Sequence, residues 1–123
     1  LFPFHILLDK NLNILRSGKA LQKILKGSLS GSLLDNFIIQ RPLYVYNYKD
    51  FIKNTNSLFI IYYKDSLKLR GEFYVDQEHE LLCFLGNPLI QSFQEMTELG
   101  LFLNDFATHD IATGGLLYAY SQE

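Results

Sequence analysis

Apolar and polar positions alternate along this chain in two rhythms, one of short extended runs and one of helical spacing. Residues 4–8 and 12–16 are apolar runs on either side of Asp9-Lys10-Asn11, a turn-forming trio, and predict a β-hairpin. Ser17 then offers an N-cap to a short amphipathic helix. In it Leu21, Ile24 and Leu25 share a face, Lys23 and Lys26 favour the negative end of the dipole, and Gly27 can take a left-handed stop. The GSLSGS stretch over 27–32 reads as a loop, and 32–37 as a further helical turn.

Ile38 and Ile39 give way to an extended linker at Pro42, and Asn47 with Asp50 forms the cap of a helix that carries Phe51 and Ile52 to about Asn54. LFIIYY from Leu58, LKLRGEFYV from Leu67 and ELLCFLG from Glu80 follow, separated by Lys64-Asp65-Ser66 and by Asp76-Gln77-Glu78-His79. They predict a three-strand antiparallel meander. After Pro88, Ser92 and Glu95 make a capping box for a C-terminal helix that Gly100 can end. The expected fold is therefore α+β: a five-stranded antiparallel sheet with short helices inserted after the second strand and a helix at the end. That is the order of a PAS-like domain, although profilin-like folds share the ingredients.

Side chains of a strand alternate between the two faces of its sheet. A two-residue turn at Asp65-Ser66 would pair Tyr62 with Leu69 and Ile60 with Gly71, and would put Leu58, Ile60, Tyr62, Leu69, Phe73, Val75, Leu82 and Phe84 on a helix-covered core face. The opposite face would hold Phe59, Ile61, Tyr63, Tyr74, Leu81, Cys83 and Leu85 around Arg70 and Glu72, with Leu7 and Leu15 added by the first hairpin. Short helices cover one face only, so this second apolar face needs another cover. At about 25 cal/mol per Å² of apolar area, leaving it wet forgoes several kcal/mol. A second copy of the chain is the expected cover, with Phe2 and Phe4 joining the interface; the competing cover is the C-terminal helix, folded back through Phe93, Met96 and Leu99.

A length of 123 residues fits one domain, and 48% hydrophobic with 15% aromatic residues supplies its core. Eleven Lys plus Arg against thirteen Asp plus Glu leave a net charge of -2 with the basic residues scattered, so nucleic-acid binding has no electrostatic footprint. The single cysteine, Cys83, forms no internal disulfide and lies in the apolar LLCFLG run, which fits a reducing, cytoplasmic setting. No apolar run reaches the roughly 18–20 residues that span a bilayer, and LFPFHILLDK has no signal-peptide pattern, so no membrane contact is expected. A start at Leu1 without methionine and an end at Glu123 suggest a piece of a longer protein.

Candidate chemistry is sparse. His5, His79 and His109 invite a metal or haem hypothesis, and His109-Asp110 superficially matches metal-dependent phosphohydrolases, but the several converging His and Asp ligands of such sites are missing. Cys83 sits among Leu82, Phe84 and Leu85, which raise a thiol's pKa rather than activate it. Gly114-Gly115 precedes no lysine, so there is no phosphate loop. No catalytic, cofactor or metal residue is assigned, and the chain is expected not to be an enzyme.

Five motifs occur in order: FPFHILLDKNLNIL with Gly18 following, FIIQRP over 37–42, LRG over 69–71, LLCFLGNP over 81–88 and GLFLNDFATHD over 100–110. Together they resemble the haem-NO-binding-associated domain of soluble guanylate cyclase and of related bacterial signalling proteins. The resemblance covers nearly the whole chain. It implies a PAS-like fold over 1–110, a linker from 111 to 123 leading to a signalling helix, and a position between a haem-bearing sensor and a catalytic output. Haem belongs to the neighbouring sensor in that family. The matched residues His5, Asp9, Arg70, Gly71, Pro88, Asp105, His109 and Asp110 are carried over as architectural. Glu72 stands where the family often has Gln, and 111–117 is richer in glycine than the usual approach to the signalling helix. The expected role is a non-catalytic homodimerisation and signal-relay module, linked to sensor and output domains of the same chain. The expected parent is a bacterial sensor histidine kinase, with a guanylate cyclase or a PAS domain holding its own small-molecule ligand as alternatives.

Overall fold

The computed structural model describes residues 2–27, 29–63 and 67–89. The expected C-terminal helix, the linker, and Asp105, His109 and Asp110 lie outside the described residues. Among the described residues nine elements run in the order β1 (Ile6–Leu8), β2 (Ile14–Ser17), α1 (Lys19–Leu25), α2 (Leu33–Asn36), β3 (Phe37–Arg41), α3 (Tyr48–Lys53), β4 (Phe59–Tyr63), β5 (Leu67–Asp76) and β6 (Leu81–Pro88).

The strands form one sheet in the order β2-β1-β6-β5-β4-β3, every neighbouring pair antiparallel. Six strands are present among the described residues, not five. The extra one is β3, in the stretch expected to lead directly into an extended linker. Phe37 and Ile39 fall opposite Tyr63 and Ile61 of β4, so this short run gains a hydrogen-bonded neighbour and turns these two side chains to the core. Its register slips between Ile39 and Arg41, and Pro42, which has no N–H to give a ladder, follows directly. Without β3 the order 2-1-6-5-4 is compatible with the PAS-like expectation.

Local signals set the joints between elements. Ser32 caps α2, its hydroxyl accepting from the Leu34 N–H at 3.3 Å. Asn47 and Asp50 close a reciprocal capping box on α3. At α1 the expectation shifts by one residue at each end. Gly18 is the N-cap, because Ser17 is the last residue of β2 and its hydroxyl meets the Gln22 side chain at 3.3 Å. Lys26, at φ 57°, takes the left-handed stop expected of Gly27, and the Gly27 N–H returns to the Gln22 carbonyl at 3.0 Å.

The core lies on one side of the sheet, beneath the helices. Phe51 of α3 stacks on Phe59 with ring centroids 5.5 Å apart and meets the edge of Phe73 at 4.7 Å; Phe73 in turn contacts Phe59 at 4.6 Å and Phe84 at 5.1 Å. Leu21 of α1 and Leu33 of α2 complete this layer with Ile6, Leu8, Ile61, Leu69 and Leu82, all fully buried.

One consequence corrects the expected faces. The loop between β4 and β5 has three residues, since Tyr63 pairs with Leu67, Ile61 with Leu69 and Phe59 with Gly71. A shift of one residue turns every β4 side chain over. Phe59 and Ile61 therefore belong to the core at 0% exposure, and Ile60 and Tyr62 take the outer face. In the next hairpin Val75 pairs with Leu82 and Phe73 with Phe84, so four residues rather than two connect the strands, and the expected faces of β5 and β6 hold because the change is even.

Candidate interaction face

The outer face of the sheet is built in rows across the strands. One row runs from Arg16 through Leu7 and Cys83 to Tyr74. The next holds Leu85 and Glu72, the third Asn87, Arg70 and Ile60, and the fourth Lys68, Tyr62 and Ile38. Leu7, Ile60, Tyr62, Leu81, Cys83 and Leu85 are half-buried, whereas Tyr74 is 52% and Ile38 67% exposed. Lys68 lies over the Tyr62 ring at 4.8 Å, and the Tyr74 hydroxyl donates to Glu72 at 3.4 Å. This face is mixed rather than uniformly greasy, with charged side chains between apolar ones.

The ten residues expected at an interface separate on this geometry. Leu7, Tyr74, Leu81 and Leu85 share the outer face. Leu15 is 53% exposed on edge strand β2, beside the irregularity where Leu7 pairs with Arg16 but Leu8 with Ile14. Phe2 is half-buried ahead of β1. Phe4, Phe59 and Ile61 are fully buried in the chain's own core and are removed from the set. Tyr63 is half-buried against the core, its ring edge-on to Phe37 at 5.4 Å. The residues missed were Ile38, Ile60 and Tyr62. Every position of LFIIYY is apolar or aromatic, so only the loop length could have assigned its faces.

His5 and Asp9 organise the first hairpin. His5 Nδ1 donates to the Phe2 carbonyl at 2.7 Å, while the His5 carbonyl accepts from Gly18 N–H at 2.9 Å. This clips the first residues to the junction of β2 and α1. Asp9 Oδ1 accepts the N–H groups of Asn11 and Asn13 at 2.8 and 2.9 Å, closing the turn. Partial desolvation opposes its charge, but the backbone donors of Asn13 and Asn11, the Asn13 amide and Lys10 outweigh it and hold the carboxyl below its usual range.

A lowered folded-state value stabilises the fold above the ordinary carboxylate range, and that contribution disappears as pH falls through the lowered value. Asp9→Ala should therefore reduce stability by about 1 kcal/mol at neutral pH, and the gap between the two proteins should close in acid, below the ordinary carboxylate range. Urea unfolding at both pH values measures this; a gap that persists in acid would contradict it.

Other candidate groups stay chemically quiet. Burial raises the Cys83 thiol, which fits an unreactive side chain. Asp76, Glu78 and His79 place one donor atom each within 4.8 Å of one another in the exposed β5–β6 turn, and His79 Nδ1 meets Asp76 Oδ2 at 2.9 Å. That hydrogen bond, with the His79 N–H, holds the Asp76 carboxyl below its usual range. Arg70 is exposed on the outer face, and Pro88 is buried opposite Leu69. Gly71 faces Gly86 where β5 and β6 approach closely.

Comparison with known proteins agrees with the ordered motifs. The profile of the haem NO binding associated family matches residues 1–66 and 62–123, together the whole chain. The rat guanylate cyclase soluble subunit beta-2 is 30% identical over 122 residues, which cover 89% of this chain and 18% of that protein. The mouse guanylate cyclase soluble subunit alpha-1 is 27% identical over the same shares of both chains. A head-specific guanylate cyclase of Drosophila melanogaster is 23% identical over 124 residues, again 89% of this chain and 18% of the relative. The chain thus spans about a fifth of the length of these relatives. With a profile match over its full length, the chain belongs to the haem-NO-binding-associated family.

Proposed function

We propose that this domain is a non-catalytic module that pairs two chains through the outer face of its sheet and passes a signal between the flanking parts of a longer cytoplasmic protein. Membership of a family found in guanylate cyclase subunits supports a signalling role. The observation that carries the pairing is the one-sidedness of the core. The three helices among the described residues bury side chains in the layer on one face, while the other presents Tyr74 and Ile38 in the open beside half-buried Leu7, Leu81 and Leu85. A relay then needs two arrangements of the pair that an upstream event biases differently.

A nucleotide cyclase as the output of the parent protein is supported by the named relatives, in place of the histidine kinase expected from sequence. A ligand held between sheet and helices is the weaker reading, because Phe51, Phe59, Phe73 and Phe84 fill that space by contact with one another.

Sedimentation velocity at micromolar concentration tests the proposal. The chain should sediment as a dimer, and Tyr74→Asp or Leu85→Asp should shift it to monomer without unfolding it. A monomeric parent chain, or dimers indifferent to both changes, would overturn the proposed face.

A further inference from the structure

We propose that the 42–46 loop, with Arg41 and the exposed side of α3, docks on an anionic lipid surface. Leu43, Tyr44 and Tyr46 are 68%, 77% and 66% exposed, a concentration of bare apolar surface within five residues that scattered surface hydrophobes do not match. The loop is held in this attitude from inside. Val45 is buried at 4% exposure, Tyr44 takes a left-handed backbone at φ 63°, and the Asp50 carboxylate accepts the N–H groups of Tyr46 and Asn47 at 2.9 and 3.3 Å. Anchoring Val45 leaves its neighbours pointing outward, so little ordering cost remains when they are buried in a second phase.

The surrounding charge selects the occupant. Arg41 precedes the loop, and Lys49 and Lys53 lie one helical turn apart on α3; all three are exposed and carry no ion pair among the described residues. The nearby acid, Asp50, is engaged by the cap. Asp76 and Glu80, themselves exposed, act on Tyr48, which packs against the core. Leu43, Tyr44 and Tyr46 thus stand in the open with three exposed cations close to them in sequence. Tyrosine favours the headgroup level of a bilayer, and a few apolar side chains plus a basic cluster give the two weak signals that peripheral attachment needs. A protruding loop would require a matching recess in a protein partner, whereas a lipid surface makes no such demand. No helix among the described residues is long and apolar enough to cross a membrane, so the contact is a surface one. The sequence reading had expected no membrane because it sought a spanning segment and took this stretch for a linker.

Co-sedimentation of the 123-residue chain with vesicles is the test. Vesicles of phosphatidylcholine with about one third phosphatidylserine should bind the chain at least about tenfold more strongly than pure phosphatidylcholine, and raising salt should weaken that binding. Leu43→Ser with Tyr44→Ser, and separately Lys49→Glu with Lys53→Glu, should each remove most of it while thermal unfolding stays in place. Absence of binding, equal binding to neutral and anionic vesicles, or binding unchanged in both variants would overturn the proposal. So would a vesicle-free shift in sedimentation caused by the lysine changes, which would assign this surface to a second copy of the chain.

Discussion

Phe73→Ala should lower the stability of the domain by about 3–5 kcal/mol, the range for removing a large aromatic side chain from a packed interior. Phe73 touches Phe51, Phe59 and Phe84 with centroid separations of 4.7, 4.6 and 5.1 Å, so its loss opens a void beneath α3 that no neighbour can fill without leaving its own contacts. A free-energy change of that size is a large share of the stability of a small domain. The urea midpoint should fall steeply, and a loss under about 1 kcal/mol would mean that the four rings do not form the centre of the fold. The same logic separates two substitutions on neighbouring positions of β4. Phe59→Asp buries a charge and should unfold the chain, whereas Ile60→Asp, on the outer face, should leave it folded.

Gly71→Ala should be nearly as damaging, by about 2–3 kcal/mol, although it adds only a methyl group. Gly71 and Gly86 face each other across β5 and β6, and a Cβ at Gly71 would overlap the Leu85 carbonyl, while one at Gly86 would meet the Arg70 carbonyl and come within 2.7 Å of the Phe84 ring. The obstruction is backbone, which cannot swing aside as a side chain can. Both strands must separate, and the β5–β6 ladder is the longest in the sheet. Thermal unfolding measures the effect; an alanine variant as stable as the parent would show that the strands have room to part. The LRG motif singled out Gly71 from sequence, and its reason is this approach of two main chains.

Local signals proved readable, and long-range ones less so. The Asn47–Asp50 cap and the Asp9 turn are decided within four residues of sequence, and each stands where the residues predict it. β5 could be assigned a face because Leu69 and Phe73 alternate with charged Arg70 and Glu72. β4 could not, because Phe59, Ile60, Ile61, Tyr62 and Tyr63 offer no polar alternation, and its orientation hangs on whether a loop has two residues or three. β3 was lost for a different reason. A five-residue edge strand gains its stability from pairing with β4, which its own composition does not reveal. The outer face was therefore foreseen in outline, and its β3 and β4 rows only became visible through the register.

Cys83 gives the most direct test of the central claim, that the outer face of the sheet is where two chains meet. It is the chain's single cysteine, half-buried on that face between Leu7 and Tyr74. The rate of its alkylation by a maleimide can be followed as protein concentration rises through the range in which sedimentation reports pairing. Pairing through this face should slow the reaction in step with the dimer fraction, and Tyr74→Asp should make the rate independent of protein concentration. A dimer whose Cys83 reacts as fast as the monomer's would contradict the account, because the two chains would then be joined somewhere else.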